Sequence, residues 1–114
     1  MINDLKKEFI NVYGGNEDEI RVFHSPGRVN LIGEHTDYNG GFVFPAALTM
    51  GTTIVLRPNG KNMVRMKATD LPDIVELEFD KLDSYSDLWW GNYQAGVMVE
   101  LLNSGYESTG CDMF

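Results

Sequence analysis

The side chains best suited to chemistry are concentrated in residues 26–41, with the sequence P-G-R-V-N-L-I-G-E-H-T-D-Y-N-G-G. This stretch contains one guanidinium, one imidazole and two carboxylates, which belong to Arg28, His35, Glu34 and Asp37. Carboxylates accept hydrogen bonds from hydroxyls, an imidazole both donates and accepts, and a guanidinium can hold an anion through its paired N–H groups. The glycines and the proline indicate that the backbone turns here and can approach a ligand closely. Residues 26–41 therefore predict a binding site for a small polar molecule.

Three plainer interpretations compete with such a binding site. Turn formation explains the glycines, but it does not explain the concentration of charged side chains. Arg28 could form a surface salt bridge instead of holding an anion. Glu34, His35 and Asp37 could bind a metal, but their close spacing suits a single tetrahedral ion poorly. We therefore predict no metal site in this segment.

The overall composition excludes several classes of partner. The 114 residues carry a net charge of −8, which argues against nucleic-acid binding because that requires a basic surface. Cys111 is the single cysteine, so no internal disulfide can form, and a reducing cytoplasmic location is expected. The chain opens on polar residues and has no apolar run of membrane-spanning length. We therefore expect neither a signal peptide nor a membrane partner.

The spacing of apolar residues predicts a succession of short elements. The first predicted elements are a helix from Leu5 to Tyr13, capped by Asn3 and ended by Gly14, and a strand over 20–25 that Pro26 breaks. An extended segment over 42–48, made irregular by Pro45, is followed by a hairpin that pairs 52–56 with 63–68 around the turn 58–60. The order ends with a half-exposed strand over 75–79, a helix from Trp89 or Trp90 to Asn103, and a last strand that begins at Cys111. Val29, Leu31 and Ile32 are expected to anchor residues 26–41 in the core.

This order of elements predicts an α+β fold in which a mixed, mostly antiparallel sheet has its helices on one side. No internal repeat, low-complexity segment or linker interrupts residues 1–114, which we expect to form one domain or part of one.

The contiguous run G-R-V-N-L-I-G-E-H-T-D-Y-N-G-G resembles the signature of galactokinases, a branch of the GHMP family of small-molecule kinases. The resemblance implies transfer of phosphate from ATP to the anomeric hydroxyl of α-D-galactose, with ATP and Mg²⁺ as cofactors. It places Arg28 beside the reacting hydroxyl as a catalytic residue that stabilises charge. It places Asp37 on the hydroxyl pair that includes the axial hydroxyl of galactose, and Glu34 and His35 on the exocyclic hydroxymethyl.

Residues 90–93, W-G-N-Y, resemble the W-A-N-Y stretch whose aromatic side chains line the adenine pocket of galactokinases. The resemblance implies that Trp90 and Tyr93 bind adenine. The alternative is that both are core residues, because Trp90, Tyr93, Val97 and Leu101 recur at helical spacing. Gly91 lowers helix propensity and favours close approach of a ligand.

The phosphate-binding motif of GHMP kinases and the catalytic aspartate that follows it have no counterpart in the sequence. We therefore expect residues 1–114 to be a partial N-terminal domain of a galactokinase-like protein. Alone, this chain is expected to be inactive and to self-associate through uncovered apolar surface. Three alternatives remain open: a related sugar kinase acting on N-acetylgalactosamine or arabinose, a non-catalytic galactokinase-like sugar sensor, and a stand-alone sugar-binding module. Tyr38 and Asn39 are expected to shape the loop rather than to contact the sugar.

Overall fold

The computed structural model describes all 114 residues and contains two helices and five strands. In chain order these are α1 (Ile2–Tyr13), β1 (Arg21–Ile32), β2 (Phe44–Pro58), β3 (Met63–Met66), β4 (Val75–Glu78), α2 (Asn92–Asn103) and β5 (Cys111–Met113). The strands form one sheet in the order β1-β2-β5-β3-β4. β5 runs antiparallel to β2 and parallel to β3, while β3 and β4 are antiparallel. The predicted fold class, α+β with a mixed and mostly antiparallel sheet, is confirmed.

The chain divides into two compact units. The first consists of Met1–Val22 together with Val55–Phe114 and contains both helices. The second is Phe23–Ile54, which contains most of β1, most of β2 and the loop that joins them. Neither helix has the length and apolar character that crossing a membrane requires.

The first unit is organised by β5, which lies between β2 and β3. Asp112 of β5 is in register with Arg57 of β2 on one side and with Arg65 of β3 on the other. Asp112 is only 2 % exposed, and its carboxylate accepts two hydrogen bonds from Arg65, at 2.7 and 2.8 Å, and one from Asn59 at 3.0 Å. We call these four residues the Asp112 cluster. The hairpin predicted between β2 and β3 is wrong, because β5 separates the two strands.

The two helices cover opposite faces of the first unit's strands, rather than one side as expected. Val64 and Met66 of β3 pack in a cluster with Ala95 and Val99 of α2. Arg65, which lies between them on the strand, points the other way and places its guanidinium over the ring of Tyr13 in α1. The Tyr13 hydroxyl also donates to the backbone oxygen of Met113 at 2.8 Å, which ties α1 to β5.

Both helix ends can be explained from the sequence. α1 begins at Ile2 with Met1 at the N-cap, so the prediction of Asn3 as the cap is wrong. The Met1 backbone oxygen accepts from the N–H groups of Asp4 and Leu5, at 3.1 and 3.0 Å, so the first turn of the helix already begins there. Gly14 ends α1 with a φ of 74°, as predicted, since a glycine takes this positive φ at little cost. Asn103 ends α2, also as predicted.

The predicted apolar stripe of α2 lies on its exposed face. Ala95 and Val99 are the buried residues of the helix, whereas Tyr93, Val97 and Leu101 are exposed. Small and branched side chains therefore face β3 and β4, and the larger residues of the stripe remain at the surface. Trp90 precedes the helix, in a short turn, and packs against the core.

In the second unit, β1 continues through Pro26, so the prediction that Pro26 breaks the strand is wrong. β1 is the first strand in the sheet order, and an edge strand tolerates proline because one row of its N–H groups has no partner strand. Pro45 likewise lies at the second position of β2 and does not interrupt it. Val29, Leu31 and Ile32 are exposed rather than anchored in the core, and the core cluster contains no residue of this unit.

Candidate functional site

A single threonine closes the loop between β1 and β2, residues 33–43. The Thr36 hydroxyl lies 2.7 Å from the backbone oxygen of Gly33 and 2.8 Å from that of Phe42, so it bridges the two ends of the loop. The N–H of Gly41 donates to the Thr36 backbone oxygen at 2.7 Å. Gly33 has a φ of 111°, and a Cβ there would lie 2.9 Å from the Phe42 oxygen. Only glycine fits at position 33, which explains one of the glycines in the motif.

Side-chain hydrogen bonds hold His35, Tyr38 and Asn39 together in the loop. Asp37, Tyr38 and Asn39 form one turn of 3₁₀-helix that ends at Gly40. The Asn39 amide donates to the backbone oxygen of His35 at 2.7 Å, and the Tyr38 hydroxyl is hydrogen-bonded to Nδ1 of His35. The prediction that Tyr38 and Asn39 shape the loop agrees with these contacts.

Two of the predicted site residues line the same cavity. Arg28 and Asn30 contribute from β1, where two-residue spacing places them on the same face. Asp37 contributes from the turn, and Val43 and Pro45 complete the lining. The cavity has a volume of about 70 Å³, below the roughly 300–1,000 Å³ of a typical ligand pocket, so it fits part of a ligand.

Asn30 is the polar residue of this cavity to which the sequence alone assigned no specific role. Arg28 and Asn30 are two residues apart, and in a strand this spacing places two side chains on the same face. The sequence predicts a loop over residues 26–32, where the spacing does not indicate a shared face. Because β1 continues through Pro26, the two side chains share a face. The cavity therefore presents a guanidinium, an amide and a carboxylate to one ligand group.

Glu34 and His35, the other two predicted sugar contacts, are exposed and lie outside the lining of this cavity. Both belong to the same loop as Asp37, so the structure keeps all three in one segment. No group of three or more His, Cys, Asp or Glu side chains is arranged to hold a metal ion. The donor set of the cavity suits hydroxyl groups, because Asp37 accepts, Arg28 donates and Asn30 does both.

A second, larger groove lies on the exposed face of α2 in the first unit. It has a volume of about 570 Å³ and is lined by Tyr85, Asn92, Tyr93, Gly96, Val97, Glu100 and Leu101. Tyr93 is 85 % exposed, so its ring is accessible to a ligand. The size and mostly apolar lining are typical of a site for a flat organic group.

The structure separates Trp90 from Tyr93. Trp90 packs against the core and is not part of the groove lining, and its buried indole N–H has no hydrogen-bond partner. Gly91 is buried, and a Cβ there would lie 2.4 Å from a methyl group of Val75. Gly91 is therefore required for packing against β4, and close approach of a ligand does not explain it.

Comparisons with known proteins identify the region that contains these features. Residues 7–58 match the family model described as the galactokinase galactose-binding signature. The chain is 47 % identical to a galactokinase of Clostridium tetani over 112 residues, which are 98 % of this chain and 28 % of the relative. It is 44 % identical over 108 residues to the galactokinase of Bacillus subtilis, covering 93 % of this chain and 27 % of the relative.

Solved structures agree with the sequence relatives. The crystal structure of Lactococcus lactis galactokinase complexed with galactose superposes with a TM-score of 0.88 at 39 % identity, over 98 % of this chain and 29 % of that one. Methanococcus jannaschii mevalonate kinase superposes with a TM-score of 0.67 at 18 % identity, over 86 % of this chain and 32 % of that one, which supports the fold alone. The chain thus spans a little over a quarter of the length of its curated relatives. Over almost all of its residues the chain is similar to galactokinases, and residues 7–58 match their galactose-binding signature.

Proposed function

We propose that this chain forms the galactose-binding part of a galactokinase, an enzyme that transfers the terminal phosphoryl group of ATP to the anomeric hydroxyl of α-D-galactose. The products are galactose 1-phosphate and ADP. The observation that carries the proposal is the cavity in which Arg28, Asn30 and Asp37 converge, inside the segment that matches the galactose-binding signature.

In this proposal, Asp37 recognises the sugar. A carboxylate can accept one hydrogen bond at each oxygen, and two neighbouring sugar hydroxyls present their donors at matching separation. We assign to Asp37 the pair that includes the axial hydroxyl, which distinguishes galactose from glucose. Asn30 lines the same cavity and can satisfy the remaining donor or acceptor of the hydroxyl group there. Glu34 and His35 bind the exocyclic hydroxymethyl.

Arg28 acts on the reacting hydroxyl in this proposal. The anomeric oxygen gains negative charge as its proton leaves, and a fixed guanidinium stabilises that charge more in the transition state than in the ground state. Mg²⁺ bound with ATP would neutralise charge on the phosphates. The proposal assigns no general base to this chain.

We assign the groove on α2 to the adenine of ATP. The exposed ring of Tyr93 offers a stacking surface, and Val97 and Leu101 extend the apolar wall. Trp90 packs against the core next to the start of α2 and lies outside the groove lining, so in this proposal it supports Tyr93 from below rather than contacting adenine. A Tyr93→Ala variant should weaken ATP binding and leave galactose binding unchanged. Equal weakening of both ligands would show that Tyr93 is structural.

Sugar recognition can be tested in the 114-residue chain by following amide chemical shifts during titration with galactose and with glucose. We expect shifts in residues 28–45 with galactose, and a weaker response with glucose. Asp37→Asn should weaken galactose binding by about 1–3 kcal/mol, because sugar hydroxyls lose a charged acceptor. Asp83→Asn is the matched control, since Asp83 is an exposed aspartate of the other unit. Unchanged galactose binding in Asp37→Asn would overturn the assignment.

The role of Arg28 requires turnover, so it is tested in a full-length galactokinase that contains this chain. Arg28→Ala should lower kcat by roughly 10²–10³ with a much smaller change in the KM for galactose. A rise in KM at constant kcat would make Arg28 a binding residue and refute its role in the transition state.

The proposed enzyme would act in the cytoplasm, where ATP is available, and the free thiol of Cys111 is compatible with that location. We also propose that the 114-residue chain self-associates at high concentration. Phe42 is 98 % exposed, and Ile32, Leu31 and Phe44 are exposed in the same unit. Light scattering that reports a monomer at all concentrations would contradict this, and Phe42→Ser should reduce the association.

A further inference from the structure

Tyr38 makes a contact that the proposed sugar-binding role of the loop does not use. Its hydroxyl is hydrogen-bonded to Nδ1 of His35, and the two rings meet edge to face with centroids 5.8 Å apart. Tyr38 is otherwise 70 % exposed, so burial of its ring does not explain its position. The Tyr38 side chain is therefore placed by its interaction with the imidazole.

The backbone of His35 is held in an uncommon conformation by the same loop. His35 has a φ of 58°, in the left-handed region that side-chain-bearing residues rarely occupy. The Asn39 amide fixes its carbonyl at 2.7 Å, and Thr36 closes the loop around it. Conformations of this kind persist only where surrounding contacts impose them, and they concentrate at functional sites. The loop therefore fixes the position of the His35 imidazole. The hydrogen bond from Tyr38 can then fix the rotation of the ring and its tautomer.

The chemistry of the two partners gives the direction of the hydrogen bond. A phenol is a stronger acid than a neutral imidazole, and an imidazole nitrogen is a better acceptor than a phenol oxygen. The Tyr38 hydroxyl therefore donates to Nδ1. A neutral imidazole that accepts at Nδ1 carries its own proton on Nε2, because the bond at one nitrogen sets the state of the other.

We propose that Tyr38 is a positioning residue for His35, which makes Nε2–H a fixed donor to a sugar oxygen. This rests on the proposed galactose site. Glu34, the proposed partner of His35 at the exocyclic hydroxymethyl, is a carboxylate that only accepts, so a hydroxyl that donates to it keeps lone pairs for a donor. His35 supplies that donor on the same loop. Tyr38 contributes to sugar binding without contacting the sugar.

The tautomer of His35 is the direct test, and it does not depend on any ligand. The chain has two histidines, so His24, which contacts Thr53, serves as an internal control. Long-range ¹H–¹⁵N spectra of the ¹⁵N-histidine-labelled 114-residue chain, taken above the pH range in which histidines titrate, report which nitrogen carries the proton. We expect His35 to show the Nε2–H pattern. In Tyr38→Phe it should move toward the mixture of a free imidazole, while His24 stays unchanged.

Tyr106→Phe is the matched control, because Tyr106 is a similarly exposed tyrosine in the other unit. It should change neither histidine. An identical His35 pattern in the parent chain and in Tyr38→Phe would overturn the proposal.

Galactose binding tests the functional part by a double-mutant cycle. Tyr38→Phe should weaken galactose binding roughly 3- to 10-fold, the effect of one misplaced hydrogen bond. In a His35→Ala background the same change should have no further effect. An equal loss in both backgrounds would show that Tyr38 acts on the sugar or on the loop directly, and would overturn the positioning role. If the parent chain binds no galactose, the proposed function fails, while the tautomer spectra still decide whether Tyr38 sets the protonation of His35.

Discussion

Replacing Asp112 with asparagine removes the one negative charge of the Asp112 cluster with little change in shape. Asp112 is 2 % exposed and accepts two hydrogen bonds from Arg65 and one from Asn59. Arg57 approaches the second carboxylate oxygen to 4.0 Å. An asparagine keeps one acceptor, but its NH₂ group would face donors of Arg65 or Asn59. At least one strong hydrogen bond is therefore lost, and two guanidiniums lose their counter-charge.

The expected loss of stability can be worked from these contacts. Breaking a buried ion pair by removing one partner costs about 3–5 kcal/mol. Arg57 and Arg65 retain 14 % and 23 % exposure, so water relieves part of that cost, and we expect about 2–4 kcal/mol. This is a large part of the roughly 5–15 kcal/mol that stabilises a typical domain.

Urea unfolding followed by circular dichroism measures this difference. Glu78→Gln is the control, because Glu78 forms an ion pair with Lys81 at 3.1 Å in which both side chains are largely exposed. Such a pair contributes little, so the control should unfold almost as the parent does. If Asp112→Asn also unfolds at the parent's urea concentration, the charge of Asp112 does not hold β5 in the sheet and the reasoning is refuted.

Three further predictions concern the first unit. Burial raises the pKa of Tyr13 above its ordinary value of about 10. The stability that Tyr13 contributes is therefore fully present below pH ~10 and falls at higher pH, where the tyrosine ionises in the unfolded chain but not in the folded one. Tyr13→Phe should lose this dependence in unfolding curves measured between neutral and alkaline pH. Burial also raises the pKa of the Cys111 thiol, so iodoacetamide should react far more slowly with the folded chain than with the chain in urea, and equal rates would contradict this. In thermal unfolding, Gly91→Ala should destabilise the chain by about 1–3 kcal/mol, because the new methyl group would clash with Val75. Gly96→Ala should be neutral or stabilising by up to about 1 kcal/mol, because the nearest atom to its new methyl group would be 3.5 Å away. A reversed order of these two glycine variants would refute the packing argument.

The composition of the candidate site could be predicted from sequence, but its three-dimensional grouping could not. Arg28 and Asp37 stand out because charged residues are rare in a stretch otherwise rich in turn formers. Arg28 points into the same cavity as Asp37 because β1 continues through Pro26. A proline would end an interior strand, but it is accommodated in a strand at the edge of a sheet. Whether a strand lies at an edge is a property of the whole sheet, so the local sequence does not contain it. Asn30 was missed for the same reason, since its orientation follows from the continuity of β1.

The failure of the predicted hairpin has a similar non-local cause, and the turn residues themselves show it. Asn59 lies in the predicted turn 58–60, but its backbone N–H donates to the backbone oxygen of Gly110 at 3.1 Å and its side-chain amide donates to Asp112. The turn therefore binds the entry to β5 instead of closing β2 onto β3. Gly110 must be glycine, because a Cβ there would lie 1.9 Å from a backbone oxygen of the turn. Arg57 and Arg65 also disfavour the hairpin, because their like charges would repel if β2 and β3 were adjacent. With β5 between the two strands, the carboxylate of Asp112 attracts both guanidiniums instead. The pairing of β2 with β3 is thus disfavoured by the same side chains that select β5. Asp112, which lies 47 positions after Arg65, therefore determines which strand pairs with β3. Local sequence patterns carry no signal over such a separation.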